Sequence, residues 1–297
     1  MSISSMPGGA DMTVASVLSV AAMLGEGPVW TDNRLWFVDI KSRKLHCFDP
    51  SDASSRDWNA PDQVGWVLPS KRGDMIAGVK TGLHRFDPAT GQFALLHDPE
   101  PGQPGNRLND AATDSTGRLW LGSMDDGEAQ KTGRLYRCDA GACRDTGLPP
   151  VAITNGPAIS ADARTLYHTD TLGKTIWRAA IDSDGTLGTP ERHIVIEEGA
   201  GYPDGSVIDA EGCLWVALYD GWGVRRYDPL GALMRFVRFP VANVTKIAFG
   251  GGDLGTAYAT TARKGLDQAA LEAQPLAGNL FSFDPGVAGL PVVPAKI

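Results

Sequence analysis

The stretch Leu24-Gly25-Glu26-Gly27-Pro28-Val29-Trp30 places one carboxylate between two glycines, directly before the start of an aromatic strand. The neighbours of Glu26 are small or apolar, so its setting differs from that of an ordinary solvated surface residue. A buried carboxylate needs a compensating charge, and a metal ion is a common partner. Whether Glu26 belongs to a metal site depends on which other polar residues the fold brings to it.

Outward from this stretch, a short apolar and aromatic strand recurs, and each copy follows a turn of Gly, Asp or Asn. The residues that mark the six copies are Trp36, Ile76, Trp120, Tyr167, Trp215 and Tyr258. Their spacing of roughly 40 to 48 residues is the period of a four-stranded propeller blade. A second strand with alternating apolar and polar residues follows each copy, and in most copies it ends in Asp or Asp-Pro.

Six copies of one unit therefore cover the chain, and radial repetition is one way in which all-β proteins avoid exposed sheet edges. We predict an all-β fold, a six-bladed β-propeller over residues 13–297, preceded by a flexible N-terminus over residues 1–12. Residues 13–20 have no blade of their own, so we expect them to add a strand to the last blade and close the ring. One short helix is expected between Leu266 and Leu276, where Pro275 limits its length.

The composition argues against several classes of function. The 297 residues carry a formal net charge of -8, whereas nucleic-acid binding needs a basic face. No stretch approaches the roughly 20 apolar residues of a membrane span. Residues 1–12 contain neither the basic nor the apolar segment of a signal peptide. We therefore expect a cytoplasmic protein, a monomer or weak oligomer, with no nucleic-acid or membrane partner.

The four cysteines are consistent with a reducing compartment. Cys47 and Cys213 lie in predicted strands and are expected to be small core residues. Cys138 and Cys143 flank a short turn and could pair if oxidised, but without a secretion signal we expect free thiols. These two alone do not indicate a zinc site, because no second Cys or His pair lies near them.

Four polar residues recur at one position of the repeat. Those that precede the markers of the first, third, fourth and fifth copies by ten to twelve residues are Glu26, Asn109, Asn155 and Asp204. Because the innermost strand of a blade lines the central channel, these side chains are expected to meet at one level around the axis. Carboxylate and amide oxygens of this kind suit a divalent cation with positions left for water and substrate. The same residue types form ordinary turns, but three or four of them in register favour a site.

Two further polar residues have open roles. Lys246 lies twelve residues before Tyr258, so we expect it either to face the channel and contact substrate or to form a structural salt bridge. His168 follows the fourth marker in a strand, where a structural role is expected ahead of a substrate contact.

Five motifs in order resemble the senescence marker protein/gluconolactonase/luciferin-regenerating enzyme family, which includes regucalcin. They are Leu24-Gly25-Glu26-Gly27-Pro28-Val29-Trp30, Arg107-Leu108-Asn109-Asp110, Thr154-Asn155-Gly156-Pro157, Tyr202-Pro203-Asp204-Gly205-Ser206-Val207, and Asn243-Val244-Thr245-Lys246 with Phe249-Gly250-Gly251. The resemblance runs from about Thr13 to Pro285. Other phrases, such as Lys80-Thr81-Gly82-Leu83-His84 and Thr260-Thr261-Ala262-Arg263-Lys264-Gly265-Leu266, look most like bacterial pentono- and hexonolactonases.

The resemblance implies a six-bladed propeller with a central metal site and assigns roles to single residues. Glu26, Asn155 and Asp204 would ligate the metal, and Asp204 would also take the proton of the attacking water. Arg107 and Asn109 would contact the substrate. The family also has an acidic residue in the loop after the third marker, but ungapped counting lands on Gly127, so Asp126 or Glu128 would serve instead.

The sequence therefore predicts a metal-dependent hydrolase that opens a sugar (aldono)lactone to the free sugar acid, with the metal as Lewis acid and water activator. The cofactor would be one divalent ion, with Ca, Zn, Mg, Mn and Fe(II) all left open, and the partner a small-molecule sugar lactone. One alternative keeps the site but acts on another ester or a phosphotriester. A second alternative is a non-catalytic propeller that binds calcium or a protein partner.

Overall fold

Four-stranded antiparallel sheets account for nearly all the regular structure of this chain, for which a computed structural model describes residues 13–139 and 141–297. In chain order the strands are β1 Ala15–Leu18, β2 Gly25–Thr31, β3 Arg34–Asp39, β4 Lys44–Asp49, β5 Ser54–Asn59, β6 Val64–Pro69, β7 Met75–Val79, β8 Gly82–Asp87, β9 Gln92–His97, β10 Asn106–Thr113, β11 Leu119–Asp125, β12 Leu135–Asp139, β13 Ala142–Asp145, β14 Thr154–Ile159, β15 Thr165–Asp170, β16 Thr175–Ala180, β17 Glu191–Val195, β18 Tyr202–Ile208, β19 Leu214–Tyr219, β20 Gly223–Tyr227, β21 Leu233–Arg238, β22 Val244–Gly250, β23 Thr256–Thr261 and β24 Leu280–Phe283. Blades 1 to 5 are β2–β5, β6–β9, β10–β13, β14–β17 and β18–β21, and blade 6 combines β22–β24 with β1. The six-bladed propeller is confirmed.

The first strand of each blade lies innermost, as expected. β6, β14 and β22 are buried along their whole length, whereas the outer strands β5 and β9 are largely exposed. The first strands also contact those of both neighbouring blades, from β2 around the ring to β22 and back to β2. The first strands therefore surround the central axis.

The ring closes where the predicted N-terminal strand joins the last blade. β1 pairs with β24, and Ala15 lies opposite Ser282. The closing strand thus comes from the opposite end of the chain, which confirms that expectation. The expectation for residues 1–12 lies outside the described residues.

The turn aspartates of the repeat hold the buried tryptophans. Asp114 Oδ2 accepts a hydrogen bond from Trp120 Nε1 at 3.0 Å, and Asp209 Oδ2 accepts one from Trp215 Nε1 at 2.8 Å. Both indole rings are fully buried, so their only polar atom is satisfied without water. The repeated Asp-turn-Trp pattern of the sequence is therefore a packing unit of the blades.

The C-terminal residues cross the end of the channel opposite the polar residues of the first strands. Gly289 bridges to Asp209 of blade 5, and Ala295 bridges to Ser70 of blade 2. Between them, Thr113 Oγ1 donates a hydrogen bond to the carbonyl of Val293. A cavity of about 330 Å³ lies beneath this segment, lined mainly by apolar parts of the inner strands and by residues 290–293.

The free thiols expected at Cys138 and Cys143 are a wrong prediction, since the structure joins these residues in a disulfide. The register of β12 and β13 places them directly opposite each other, with 4.0 Å between their Cα atoms, a proximity that sequence spacing alone did not establish. Cys47 and Cys213 are free and buried, as expected.

The single short helix predicted near residue 270 is present. α1 spans Gln268–Ala273, and the side chain of Asp267 caps it by accepting a hydrogen bond from the backbone N–H of Ala270. In the part of the chain that the structure describes, no helix is long and apolar enough to cross a membrane.

Candidate metal and substrate site

The register of each inner strand shifts at one common level of the channel. The partner of Trp36 is Val29, and three positions before it stands Glu26. The same count in the other blades gives the residues Gly65, Asn109, Asn155, Asp204 and Thr245. Bulges re-aim side chains, so the candidate residues of blades 1, 3, 4 and 5 share one level around the axis.

Two carboxylates, Glu26 and Asp204, lie buried side by side at this level. Burial raises the pKa of Glu26 from 4.5 to about 7, and the nearby charge of Asp110 adds to the shift. Burial and then Glu26 itself raise the pKa of Asp204 well above its ordinary value. Glu26 thus makes the negative form of Asp204 less favourable, and the charge of Lys246 offsets this only in part.

The two asparagines are oriented by a chain of hydrogen bonds. Arg107 donates to Asn109 Oδ1 at 2.6 Å, and Asn109 Nδ2 donates to Asn155 Oδ1 at 3.0 Å. Asn155 Nδ2 in turn donates to Thr171 Oγ1 at 2.9 Å. Each amide oxygen thus accepts one hydrogen bond, that of Asn109 from a charged guanidinium and that of Asn155 from a neutral amide, and each keeps one lone pair for another partner.

This donor set fits one divalent cation. It offers two buried carboxylates with raised pKa values and one amide oxygen, contributed by Glu26, Asp204 and Asn155. Oxygen donors of this kind suit hard divalent ions, and a cation would relieve the repulsion between the carboxylates. Among residues 13–139 and 141–297 no group of three or more His, Cys, Asp or Glu side chains could hold a metal, so the site depends on the asparagine.

Of the two roles left open for Lys246, a substrate contact or a structural salt bridge, the geometry favours the salt bridge. Thr245, not Lys246, stands at the shared level in blade 6, and its hydroxyl donates to the backbone carbonyl of Gly25. Lys246 comes one residue later and forms a buried ion pair with Asp110, which likewise follows Asn109. Lys246 does not line the cavity around Asp204, and the structure has the salt-bridged alternative.

A cavity of about 190 Å³ opens above the carboxylates, and part of its wall comes from the loop after β11. Of the two acidic candidates in that loop, Glu128 lines the cavity and Asp126 does not. Asp126 lies 2.7 Å from Lys41 Nζ and 2.9 Å from Lys80 Nζ. Burial opposes the shift, but hydrogen bonds from both lysines hold the pKa of Asp126 well below its usual range.

Other residues of the cavity wall carried no role in the sequence-based prediction. Lys264 and Tyr219 line the cavity, and the Tyr219 hydroxyl donates to the carbonyl of Lys264. Lys264 lies in one of the lactonase-like phrases, but nothing in the sequence indicated that it would face Glu128. His168 is buried in β15 and lines a separate small cavity beside Trp177, away from the carboxylates.

Comparison with known proteins adds independent findings. The SMP-30/Gluconolactonase/LRE-like region matches residues 24–263. A 6-deoxy-6-sulfogluconolactonase of Pseudomonas putida is 33% identical over 93% of this chain and 96% of its own length. Pentonolactonase XacC of Haloferax volcanii is 33% identical over 94% and 97%. The crystal structure of a calcium-binding protein, regucalcin, from Agrobacterium tumefaciens has a TM-score of 0.91 at 28% identity and covers 97% of this chain and 98% of that one. The chain therefore belongs to the SMP-30/gluconolactonase/LRE-like family.

Proposed function

We propose that this protein is a divalent-metal-dependent lactonase that hydrolyses a sugar lactone to the open sugar acid. The observation that carries the proposal is the meeting of Glu26, Asp204 and Asn155 at the floor of a cavity that Arg107 also lines. Relatives with full-length similarity are named lactonases of a sulfogluconolactone and of pentonolactones. An aldonolactone is therefore the substrate class that we infer.

Glu26, Asn155 and Asp204 would hold the metal ion, which when bound would supply Lewis-acid polarisation of the lactone carbonyl. Arg107 is buried and fixed by its bond to Asn109, so it can donate to ring or carbonyl oxygens of the sugar from a set position. A carboxylate oxygen of Asp204 can accept the proton of the attacking water, because Asp204 lines the cavity in which the lactone would bind. The water oxygen bonds to the acyl carbon, the bond from the acyl carbon to the ring oxygen breaks, and the ring oxygen takes the proton from Asp204 to leave as a hydroxyl of the sugar acid.

The proposal is tested by hydrolysis of xylono-, arabino-, galactono- and gluconolactone. Metal-stripped protein should hydrolyse none of them above the spontaneous rate, and one or more of Ca, Mg, Mn, Zn or Fe(II) should restore turnover. Asp204→Asn should remove turnover while the circular dichroism spectrum stays unchanged. If no metal restores turnover on any sugar lactone, the lactonase proposal fails, and hydrolysis of an aryl ester or phosphotriester in the same assay would support the alternative hydrolase.

A non-catalytic calcium-binding role is the rival from another class, since one solved relative is described as a calcium-binding protein. A protein that only stores calcium is expected to surround it with six to eight oxygens. Here three side chains would supply ligands, and they line a cavity that is open to solvent. Tight calcium binding without any turnover on the panel would favour this rival.

A further inference from the structure

Among the described residues, two cationic side chains line the cavity, Arg107 and Lys264. Arg107 is buried and hydrogen-bonded to Asn109. The Lys264 side chain is 33% exposed, and we call the partly exposed end of the cavity beside Lys264 and Glu128 its mouth. The two therefore lie at different depths, and Lys264 is the one placed to meet the part of a ligand that is farthest from the carboxylates.

The backbone of Lys264 is held in place from three directions. Its N–H donates to the carbonyl of Met23 at 2.8 Å. Its carbonyl accepts from Asn243 Nδ2 at 2.9 Å and from the Tyr219 hydroxyl. The backbone of Lys264 is thus fixed, and only the aliphatic side chain and its ammonium group can move.

The ammonium of Lys264 already binds a carboxylate from the other side of the channel. Its partner is Glu128, in the loop after β11 of blade 3, whereas Lys264 follows β23 of blade 6. Blades 3 and 6 face each other across the six-membered ring. Both side chains are about one-third exposed, so this ion pair crosses the mouth and can be replaced from solvent.

Several cationic side chains lie in or beside the cavity although the whole protein has a net charge of -8. Lys41, Lys80 and Arg107 all lie within 3.3 Å of the single carboxylate of Asp126. The cavity itself is lined by Arg107 and Lys264 and by the carboxylates of Glu26, Glu128 and Asp204, so one positive charge is in excess where a divalent ion balances Glu26 and Asp204. The deeper pair of Lys246 and Asp110 is balanced. Such a field favours an anionic ligand.

We propose that Lys264 recognises a carboxylate at the end of the substrate remote from the lactone carbonyl, so that the preferred substrates are lactones of sugar diacids. In the free protein Glu128 occupies the place of that carboxylate, and the substrate displaces it. This inference rests on the proposed lactonase function for its substrate class, but the recognition itself can be measured without turnover.

The test compares two substrates that differ only at the last carbon, glucaro-1,4-lactone with a carboxylate and glucono-1,4-lactone with a hydroxymethyl group. The wild-type kcat/KM should favour glucarolactone by about tenfold, the effect of one charge-assisted hydrogen bond. Lys264→Met should reduce that ratio by about the same factor, chiefly through KM. Lys264→Arg should keep the preference, and so should Lys44→Met, which removes a lysine paired with Asp57 on the outer strands of blade 1.

Calorimetric binding of glucuronate and glucose provides the second measurement, since neither sugar is a lactone. Tighter binding of glucuronate by the wild type, lost in Lys264→Met, would support the inference even if no lactone were hydrolysed, and absence of hydrolysis would then count against the lactonase proposal alone. Equal binding of the two sugars by the wild type, or an equal loss for both in Lys264→Met, would overturn the inference.

Discussion

The carboxylates of Glu26 and Asp204 make the stability of the metal-free protein depend on pH. Because the folded pKa of Glu26 is raised from 4.5 to about 7, the folded state keeps a proton over an interval in which the unfolded chain has lost it. The free energy of unfolding should therefore fall as pH rises through this interval, with a limiting slope of about 1.4 kcal/mol per pH unit.

Urea unfolding at pH 5 and pH 8 measures this effect. With a chelator present, the protein should be less stable at pH 8, and a saturating divalent ion should stabilise it more at pH 8 than at pH 5, because the ligands must be deprotonated. Glu26→Gln serves as the control and should flatten the pH dependence of the chelated protein. A chelated wild type that is more stable at pH 8 would contradict the prediction.

Lys246 is expected to act through Asp110 rather than through substrate. Lys246→Met should cost about 3–5 kcal/mol of unfolding free energy, because it leaves the buried carboxylate of Asp110 without a partner. The double variant Lys246→Met with Asp110→Asn should recover much of that loss. Denaturant unfolding measures both, and equal losses in the single and double variants would show that the ion pair is not the cause.

At the scale of the strand, the close approach of the inner strands of blades 2 and 3 depends on Gly65. A Cβ atom at this position would lie 2.5 Å from the carbonyl oxygen of Leu108 and 2.6 Å from that of Asn109. Backbone atoms cannot yield as a flexible side chain can, so Gly65→Ala should push β6 away from β10 and displace Asn109.

We expect Gly65→Ala to lose about 1–3 kcal/mol of stability and to lower kcat/KM on the best lactone. Gly102→Ala is the matched control, because a Cβ there meets nothing within 4 Å. Thermal unfolding and the lactone assay test both variants. Identical behaviour of the two variants would mean that blades 2 and 3 can separate without cost.

The strand repeat was readable from the sequence because each blade repeats one pattern of turn, aromatic strand and polar-apolar strand. Its period placed Glu26, Asn155 and Asp204 at one level of the channel, and the strand register puts the three residues at equivalent positions of their blades. Lys246 was placed at that level by counting from Tyr258, but the bulge in β22 makes Thr245 the equivalent residue. A bulge adds a residue without a sequence mark, so counting can miss by one position.

The loops were less predictable than the strands. The partners of Asp126 come from blades 1 and 2, and the partner of Glu128 comes from blade 6. Such contacts depend on how far each loop reaches across the ring, and no periodicity encodes that distance. The disulfide between Cys138 and Cys143 was missed for a related reason, since it depends on the exact pairing of β12 with β13.

At the scale of the whole molecule, the C-terminal segment contributes to stability by covering apolar surface. Removal of residues 290–297 would uncover the cavity of about 330 Å³ and break the contacts of Val293 and Ala295. The melting temperature should fall, by about 2–4 °C for each kcal/mol lost, and binding of an apolar dye should increase. An unchanged melting temperature and dye signal would show that this segment only rests on the blades.

The C-terminal segment that crosses one end of the channel also affects how molecules enter and leave it. In the part of the chain that the structure describes, residues 289–296 cross one end of the channel, and the cavity above Glu26 and Asp204 lies toward the other end, beside Lys264 and Glu128. If the proposed function holds, a sugar acid formed there leaves by the route through which the next lactone arrives. Product and substrate therefore compete for one passage, and the rate at which the acid departs sets an upper limit on turnover.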